Sequence, residues 1–170
     1  VLFNDSFLKL YKKFCPGPIT FVLKKNKISK ISPGATANLD TVAIRFPNHG
    51  VIKKILKLTG FPLAMPSANL SSKLSPVYAS DVFENFKKKI KIIIDGGKSK
   101  FGIESTVIDL TKTPKILRPG AIDSNEIKSL IKLSLSKKKI GLKSPGMLKK
   151  HYSPGIPVIL GKKPKKQSHA

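Results

Sequence analysis

The sequence is poor in several residue types, and each shortage narrows what the protein can be. Among 170 residues there is no tryptophan, one cysteine (Cys15), and nine acidic residues against 33 basic ones. One cysteine cannot form a disulfide within the chain, and no apolar run approaches the roughly 20 residues that span a bilayer. With 40% hydrophobic residues, the chain has the composition of a folded protein. We expect a cytoplasmic protein with one domain, or one domain and an appendage, and no membrane association.

Several well-known catalytic and metal-binding patterns are missing. No CxxC, HExxH or paired Cys/His spacing occurs, and the three histidines predict neither a metal site nor a nucleophilic triad. The turn GGKSK (96–100) follows an apolar run, but a P-loop requires glycine where this chain has Ile92. For Asp95, Glu104 and Asp109, near predicted strand ends, a structural role is favoured over acid–base chemistry. The sequence therefore identifies no catalytic residue and no metal ligand.

The positive charge is large and almost entirely lysine. The net charge is +24, yet only Arg45 and Arg118 are arginines. Excess positive charge attracts polyanions such as RNA, whereas scattered lysine with little arginine is typical of a compositional bias. Both interpretations stay open. Since lysine supplies nearly every other charge, the two arginines are candidates for gripping an anion through the guanidinium fork, with a structural ion pair as the alternative.

The pattern of apolar residues predicts a mixed α/β fold. Helical spacing occurs at 7–14, 49–60, 81–90 and 123–133, and Ser80 is the expected cap of the third helix. Apolar and β-branched runs predict strands at 19–24, 41–46, 62–65, 91–95, 105–110 and 115–118. Helices and strands do not alternate strictly, which favours a mixed α/β (α+β) sheet over a doubly wound parallel one.

Hydroxyl, amide and guanidinium groups concentrate at predicted strand ends and in the loop 66–76. Such groups donate hydrogen bonds to phosphate and carboxylate oxygens without acting as nucleophiles. Each hydroxyl alone is more often a cap or turn residue. Together they suit a site that positions a nucleotide and a small acid for nucleotidyl or phosphoryl transfer. The candidates are Thr41, Arg45, Ser67, Asn69, Ser75, Ser105, Thr106 and Arg118.

Five segments, in one order, carry a family resemblance. They are PGPIT (16–20), DTVAIRFP (40–47), PLAMPSANLSSKLSP (62–76), DGGKSKFGIESTVIDL (95–110) and ILRPGAI (116–122). Together they resemble the YrdC/Sua5 family of threonylcarbamoyl-AMP synthases. SPGMLKKHYSP (144–154) is similar to the interdomain linker of the longer Sua5-type members. The resemblance implies a twisted mixed-sheet, YrdC-like (DHBP synthase-like) fold with a concave, positively charged cleft.

The resemblance also implies a reaction. Family members condense L-threonine, bicarbonate (or CO2) and ATP, with Mg2+ expected to neutralise the triphosphate, into threonylcarbamoyl-AMP and pyrophosphate. A downstream transferase then passes the threonylcarbamoyl group to an adenosine next to the tRNA anticodon. By motif, the residues expected at ATP are Thr41, Ser67, Asn69, Ser75, Arg118 and Tyr152. Those expected at L-threonine are Arg45, Met65 and Ser105.

The chain departs from the family pattern near its ends. No counterpart of the family's N-terminal threonine-binding loop or K-x-R motif occurs, and PGPIT begins at residue 16. We therefore expect a catalytic domain that is incomplete at its N-terminus over 1–133, a linker over 134–155, and a truncated second domain or tail over 156–170. This piece alone is expected to be inactive, with an unpaired sheet edge that favours aggregation.

Two other functions compete with the synthase. The charge of +24 is compatible with a module that binds tRNA or double-stranded RNA without catalysis. A carbamoyl-adenylate domain of a hydrogenase-maturation protein is a second alternative, which the Sua5-like segment 144–154 disfavours.

Overall fold

A four-stranded mixed sheet organises the part of the chain that the computed structural model describes, residues 1–70 and 73–134. In chain order the elements are α1 (Asp5–Phe14), β1 (Ile19–Lys24), a 3-10 helix (Pro33–Thr36), β2 (Thr41–Arg45), α2 (Gly50–Thr59), α3 (Ala79–Phe86), a 3-10 helix (Lys87–Lys89), β3 (Thr106–Asp109), β4 (Lys115–Arg118) and α4 (Ser124–Leu130). The strand order is β2-β1-β3-β4, and only β1 and β3 are parallel. The predicted mixed α/β fold is confirmed.

One face of the sheet packs against α1 and α4. The buried apolar cluster consists of Phe7, Leu10, Ile19, Phe21, Leu23, Ile108, Leu110, Ile122, Ile127 and Ile131. Its centre is Phe21, which is fully buried and meets the ring of Phe7 edge-on at 5.0 Å. Because side chains alternate along a strand, Thr20 and Val22 point to the other face. That second face holds buried Val22 and also polar side chains such as Thr20.

Two predicted strands do not form. Residues 62–65 and 91–95 are apolar, but no other strand of the described residues pairs with either segment. Ile92 and Ile94 are 78% and 60% exposed. An apolar run becomes a strand only where a partner completes its hydrogen-bond ladder, and that partner is not encoded locally. The other four predicted strands are confirmed within one residue at each end.

The four predicted helices form, but the cap of α3 differs from the prediction. Helix α3 begins at Ala79, so Ser80 lies inside its first turn instead of capping it. The carboxylate of Asp81 accepts the backbone N–H groups of Tyr78 and Val77, at 2.9 and 2.8 Å. These bonds stabilise the ionised carboxylate and lower the pKa of Asp81. None of the helices in residues 1–70 and 73–134 is long and apolar enough to cross a membrane.

Candidate anion-binding site

A row of side chains crosses all four strands on the sheet face opposite the core. Thr20 of β1 pairs with Arg45 of β2 on one side and with Val107 of β3 on the other. Val107 in turn pairs with Arg118 of β4. Directly paired residues share a face of the sheet. Both arginines of the chain therefore lie on one face, one on each outer strand.

Arg118 reaches this face because of a β-bulge. Ile108 pairs with Ile116, but Val107 pairs with Arg118, so Leu117 is an extra residue in β4. Regular alternation would put Arg118 on the same side as Ile116, which packs against the core. The bulge reverses that orientation, as bulges beside binding sites commonly do.

Arg118 is held against the start of β3. Its Nη2 donates to the carbonyl oxygen of Ser105 at 2.8 Å and to the Ser105 hydroxyl at 3.2 Å, and its Nε donates to the same carbonyl at 3.2 Å. The Ser105 hydroxyl is 2.8 Å from the hydroxyl of Thr20. This network fixes two polar groups, Ser105 and Thr20, between the two arginines.

A carboxylate completes the cluster. Nη1 of Arg118 forms an ion pair with Oε2 of Glu104, the structural arrangement that the sequence left open for this arginine. Oε1 of Glu104 accepts a hydrogen bond from the Ser75 hydroxyl at 2.7 Å. Ser75, one of the residues of the loop 66–76 predicted to bind ATP, is thus linked to Arg118 by way of Glu104.

Arg45 lies at the other end of the row. Its Nε donates to the carbonyl oxygen of Gly17 at 3.3 Å. Loss of solvent around its charge, and then the nearby charge of Arg118, lower the pKa of the Arg45 guanidinium, while Glu104 partly opposes this. An arginine stays protonated near neutral pH even so. The site therefore holds two positive charges close enough to repel each other.

Two glycines allow the backbone to approach closely around this cluster. A Cβ on Gly120 would lie 2.4 Å from the carbonyl oxygen of Glu104 and 2.5 Å from the backbone carbon of Ser105. A Cβ on Gly17 would lie 2.2 Å from the carbonyl oxygen of Phe14. Each glycine borders one arginine, so any side chain at either position would displace backbone that orients the site.

The remaining predicted site residues are more dispersed. Thr41 pairs with Lys24 and shares the face of Arg45, but it lies at the opposite end of β2. Met65 and Ser67 are exposed on the loop after α2. Asn69 Nδ2 donates to the carbonyl oxygens of Leu70 and Lys73, at 3.0 and 2.8 Å, which shapes the loop. The structure thus gathers Arg45, Ser75, Ser105 and Arg118.

Thr106 points to the core side, where its hydroxyl is 3.0 Å from the carbonyl oxygen of Ile122, so its role is structural. Tyr152 lies outside the described residues, as does most of the predicted linker. Oδ1 of Asn69 is buried and has no hydrogen-bond partner within the described part of the chain.

Sequence reasoning missed Thr20, and it named Glu104 as a structural carboxylate without predicting its contacts with Arg118 and Ser75. Thr20 stands inside the PGPIT segment and Glu104 opens ESTV, so both lay in the segments that carry the resemblance. Their roles depend on which strands pair, because Thr20 and Ser105 are 85 positions apart. Without the pairing, Glu104 was recognisable only as a carboxylate near a strand end.

No group of three or more His, Cys, Asp or Glu residues comes together in residues 1–70 and 73–134. The carboxylate nearest to the two arginines, Glu104, is already engaged by Arg118 and Ser75. Hydroxyls and guanidinium groups, which suit anions, dominate the cluster. Fold and cluster together define a mixed α/β protein with a sheet face whose polar groups are suited to anions.

Comparison with known proteins identifies the family. The Sua5_yciO_yrdC model, described as "Telomere recombination", matches residues 2–120. A second model, described as "Threonylcarbamoyl-AMP synthase, C-terminal domain", matches residues 122–170. The chain belongs to the Sua5/YciO/YrdC family. The predicted domain limits at 133 and 155 stay predictions.

Individual relatives agree with this family. Threonylcarbamoyl-AMP synthase of Pyrococcus abyssi is 43% identical over 163 residues, which is 92% of this chain and 47% of that protein. The Bacillus subtilis enzyme of the same name is 40% identical over 157 residues, covering 89% of this chain and 45% of that protein. This chain spans just under half the length of these two relatives.

Solved structures confirm the YrdC-like fold. The crystal structure of P. abyssi Sua5 complexed with L-threonine matches with a TM-score of 0.80 and 41% identity, over 90% of this chain and 46% of that one. Escherichia coli YciO matches with a TM-score of 0.62 and 27% identity, over 71% of this chain and 58% of that one.

Proposed function

We propose that the chain forms part of an L-threonylcarbamoyladenylate synthase, a nucleotidyltransferase. This enzyme condenses L-threonine, bicarbonate or CO2, and ATP to threonylcarbamoyl-AMP and pyrophosphate. The observation that carries the proposal is the row in which Arg45 and Arg118 share one sheet face with Ser105 between them. Two cations that repel each other gain stability when anions bind between them. The substrates supply such anions, a carboxylate and a triphosphate.

The two ends of the row are proposed to bind different substrates. Arg45 binds the L-threonine carboxylate, together with Ser105 and Met65. Arg118 binds ATP phosphates, and the residues assigned with it are Thr41, Ser67, Asn69, Ser75 and Tyr152. The name of the P. abyssi structure, which contains L-threonine, supports a threonine site in this fold. The Ser105 hydroxyl, 3.2 Å from Arg118 and 2.8 Å from Thr20, lies where the two substrates would meet.

One balanced route to the product forms the carbamate first. The threonine amine joins bicarbonate with loss of water to give a carbamate, and a carbamate oxygen attacks the α-phosphorus of ATP while pyrophosphate leaves. The chain's contribution is to orient the two substrates and to stabilise charge on the phosphates. Mg2+ is proposed to arrive with the triphosphate, since this ion is commonly held by substrate phosphates, water and one or two carboxylates.

The first experiment is pyrophosphate release from ATP by the full-length gene product. L-Threonine and bicarbonate are omitted in turn, and serine replaces threonine in a specificity control. We expect release that requires both L-threonine and bicarbonate. Release that is indifferent to threonine, or no release at all, contradicts the synthase. A tRNA-modification role with a downstream transferase, and a cytoplasmic location, are parts of the same proposal.

One observation favours a second candidate function, RNA binding. The net charge is +24, and tRNA or double-stranded RNA is a polyanion that such a charge attracts. The lysines occur in every part of the chain instead of forming one stripe. We therefore rank RNA binding below the synthase, as a property that an enzyme of tRNA modification can also possess.

A further inference from the structure

Glu104 lies at the centre of the arginine-bearing face, and the binding scheme above assigns it no role. Its side chain is 22% exposed and that of Arg118 is 12% exposed, so the ion pair between them is largely shielded from water. The other carboxylate oxygen accepts the Ser75 hydroxyl at 2.7 Å. One carboxylate therefore joins the loop 66–76 to strand β4.

The charges around Glu104 explain why an acidic group is needed here. The Arg118 charge lowers the pKa of Arg45 while the Glu104 charge raises it, so the carboxylate offsets repulsion between the two guanidinium groups. Without Glu104, Arg118 would keep its hydrogen bonds to Ser105, but Nη1 would lose its ion pair and the guanidinium would be held less firmly. The ion pair with Glu104 restricts the position of the Arg118 guanidinium.

We propose that Glu104 is a positioning residue, which holds the Arg118 guanidinium and the Ser75 hydroxyl in the arrangement that receives the ATP triphosphate. This rests on the proposed function, which assigns both groups to ATP. Glu104 is not the general base in this scheme, because its two oxygens already accept hydrogen bonds from Ser75 and Arg118. It acts through its two neighbours.

The Glu104→Gln variant separates two effects of opposite sign. Glutamine retains the shape and an acceptor for Ser75 but loses the ion pair with Arg118. Lost positioning weakens binding of the triphosphate, whereas loss of a nearby negative charge would by itself strengthen it. We expect the KM for ATP to rise about 10- to 100-fold, the range for a lost charged hydrogen bond, with the KM for L-threonine changing less than about threefold. An unchanged or lower KM for ATP overturns the proposal.

A double-mutant cycle tests whether Glu104 acts through Arg118. In the Arg118→Lys background, Glu104→Gln should raise the KM for ATP less than about threefold further. Independent effects of the two substitutions contradict the proposal. The matched control is Glu84→Gln, an exposed position on α3, which should leave all constants unchanged. If Glu104→Gln does not fold, as judged by thermal denaturation, Glu104→Asp replaces it, since aspartate keeps the charge but is too short to bridge both partners.

Binding of inorganic tripolyphosphate by calorimetry separates this proposal from the synthase itself. We expect wild-type full-length protein to bind tripolyphosphate and Glu104→Gln to bind it about tenfold or more weakly. If pyrophosphate release proves independent of threonine but this difference holds, the synthase fails and Glu104 still positions a polyphosphate site. If the wild-type protein does not bind tripolyphosphate, or if Glu104→Gln binds it equally well or better, the role of Glu104 is wrong.

Discussion

The Arg118 side chain makes a set of contacts that a lysine could not make. The Arg118 fork reaches the carbonyl and hydroxyl of Ser105 and the carboxylate of Glu104 at once. A lysine would offer one nitrogen in place of this planar set of donors. The scarcity of arginine made both positions predictable as sites of special chemistry. The sequence could not predict the contacts of Thr20 or Glu104, because these contacts arise only when β1, β3 and β4 come together.

Replacing Arg45 by lysine tests the fork directly. Arg45→Lys keeps the charge but loses bidentate binding of a carboxylate, so we expect the KM for L-threonine to rise about 10- to 100-fold. The KM for ATP and the affinity for RNA should change little. Steady-state pyrophosphate release at varied threonine, with RNA binding by fluorescence anisotropy, measures both. An unchanged KM for L-threonine would indicate that Arg45 contributes only its positive charge, because lysine keeps that charge.

The Cys15 thiol is predicted to react slowly. Burial raises its pKa from 9.0 to about 11, so at pH 8 its thiolate fraction is about 100-fold lower than that of an ordinary cysteine. Iodoacetamide labelling, followed at Cys15 by peptide mapping, should be slow in native protein and fast in urea. Because the folded pKa is higher than 9.0, the folded protein holds the thiol proton more tightly than the unfolded chain does. The free energy of unfolding therefore keeps its full value below pH 9 and falls as the pH rises through 11. Fast native labelling at pH 8 contradicts this.

At the scale of helices and strands, the sequence predicts those features that depend on the local residue pattern. The β1 limits, Ile19–Lys24, and the β4 limits, Lys115–Arg118, agree with their apolar runs. The bulge at Leu117 could not be foreseen, because it exists only relative to the pairing partner in β3. The same limitation explains the wrong strand at 91–95, where the apolar pattern was present without a partner. Sequence thus located the elements, and pairing decided which side chains face the site.

The close approach between the Gly120 segment and the start of β3 gives a prediction at this scale. Gly120→Ala forces its Cβ against the backbone of Glu104, Ser105 and Thr106, so we expect a loss of about 1–3 kcal/mol in stability from overpacking. A shift of the Ser105 segment should also reduce kcat/KM about 10- to 100-fold. Urea denaturation and pyrophosphate release measure the two effects.

The matched control for this change is Gly50→Ala in the first turn of α2. A Cβ there meets nothing within 4 Å, so the free energy of unfolding should stay equal or rise by up to about 1 kcal/mol. If Gly120→Ala were equally harmless in both assays, the close backbone approach would not position the site.

At the scale of the whole molecule, apolar side chains are distributed unevenly. Helices α2 and α3 contain no fully buried residue, and Leu58 and Ile92 are each 78% exposed. Exposed apolar surface of this extent usually marks an interface. The chain also spans just under half the length of its P. abyssi and B. subtilis relatives. For both reasons the kinetic tests above use the full-length gene product.

Salt separates the two functions considered for the whole protein. If six to ten phosphates are contacted, RNA affinity should fall about 10³- to 10⁵-fold between 50 and 200 mM salt. The requirement of pyrophosphate release for L-threonine should persist across this range, because a carboxylate held in a geometric site depends less on screening. Filter binding and the release assay, run in the same buffers, test both. A threonine requirement that disappears together with RNA binding contradicts the synthase.

The parallel pairing of β1 with β3 also determines when the chain can finish folding. Thr20 and Ser105 are 85 positions apart, and Asn4 donates to the carbonyl oxygen of Leu110, 106 positions away. Such non-local contacts slow folding, because loop closure costs entropy before the contacts form. At the usual rate of synthesis, β1 emerges from the ribosome roughly 4 to 17 s before β3. During that interval the nascent chain exposes one edge of β1, and a chaperone that binds extended apolar segments would find its substrate there.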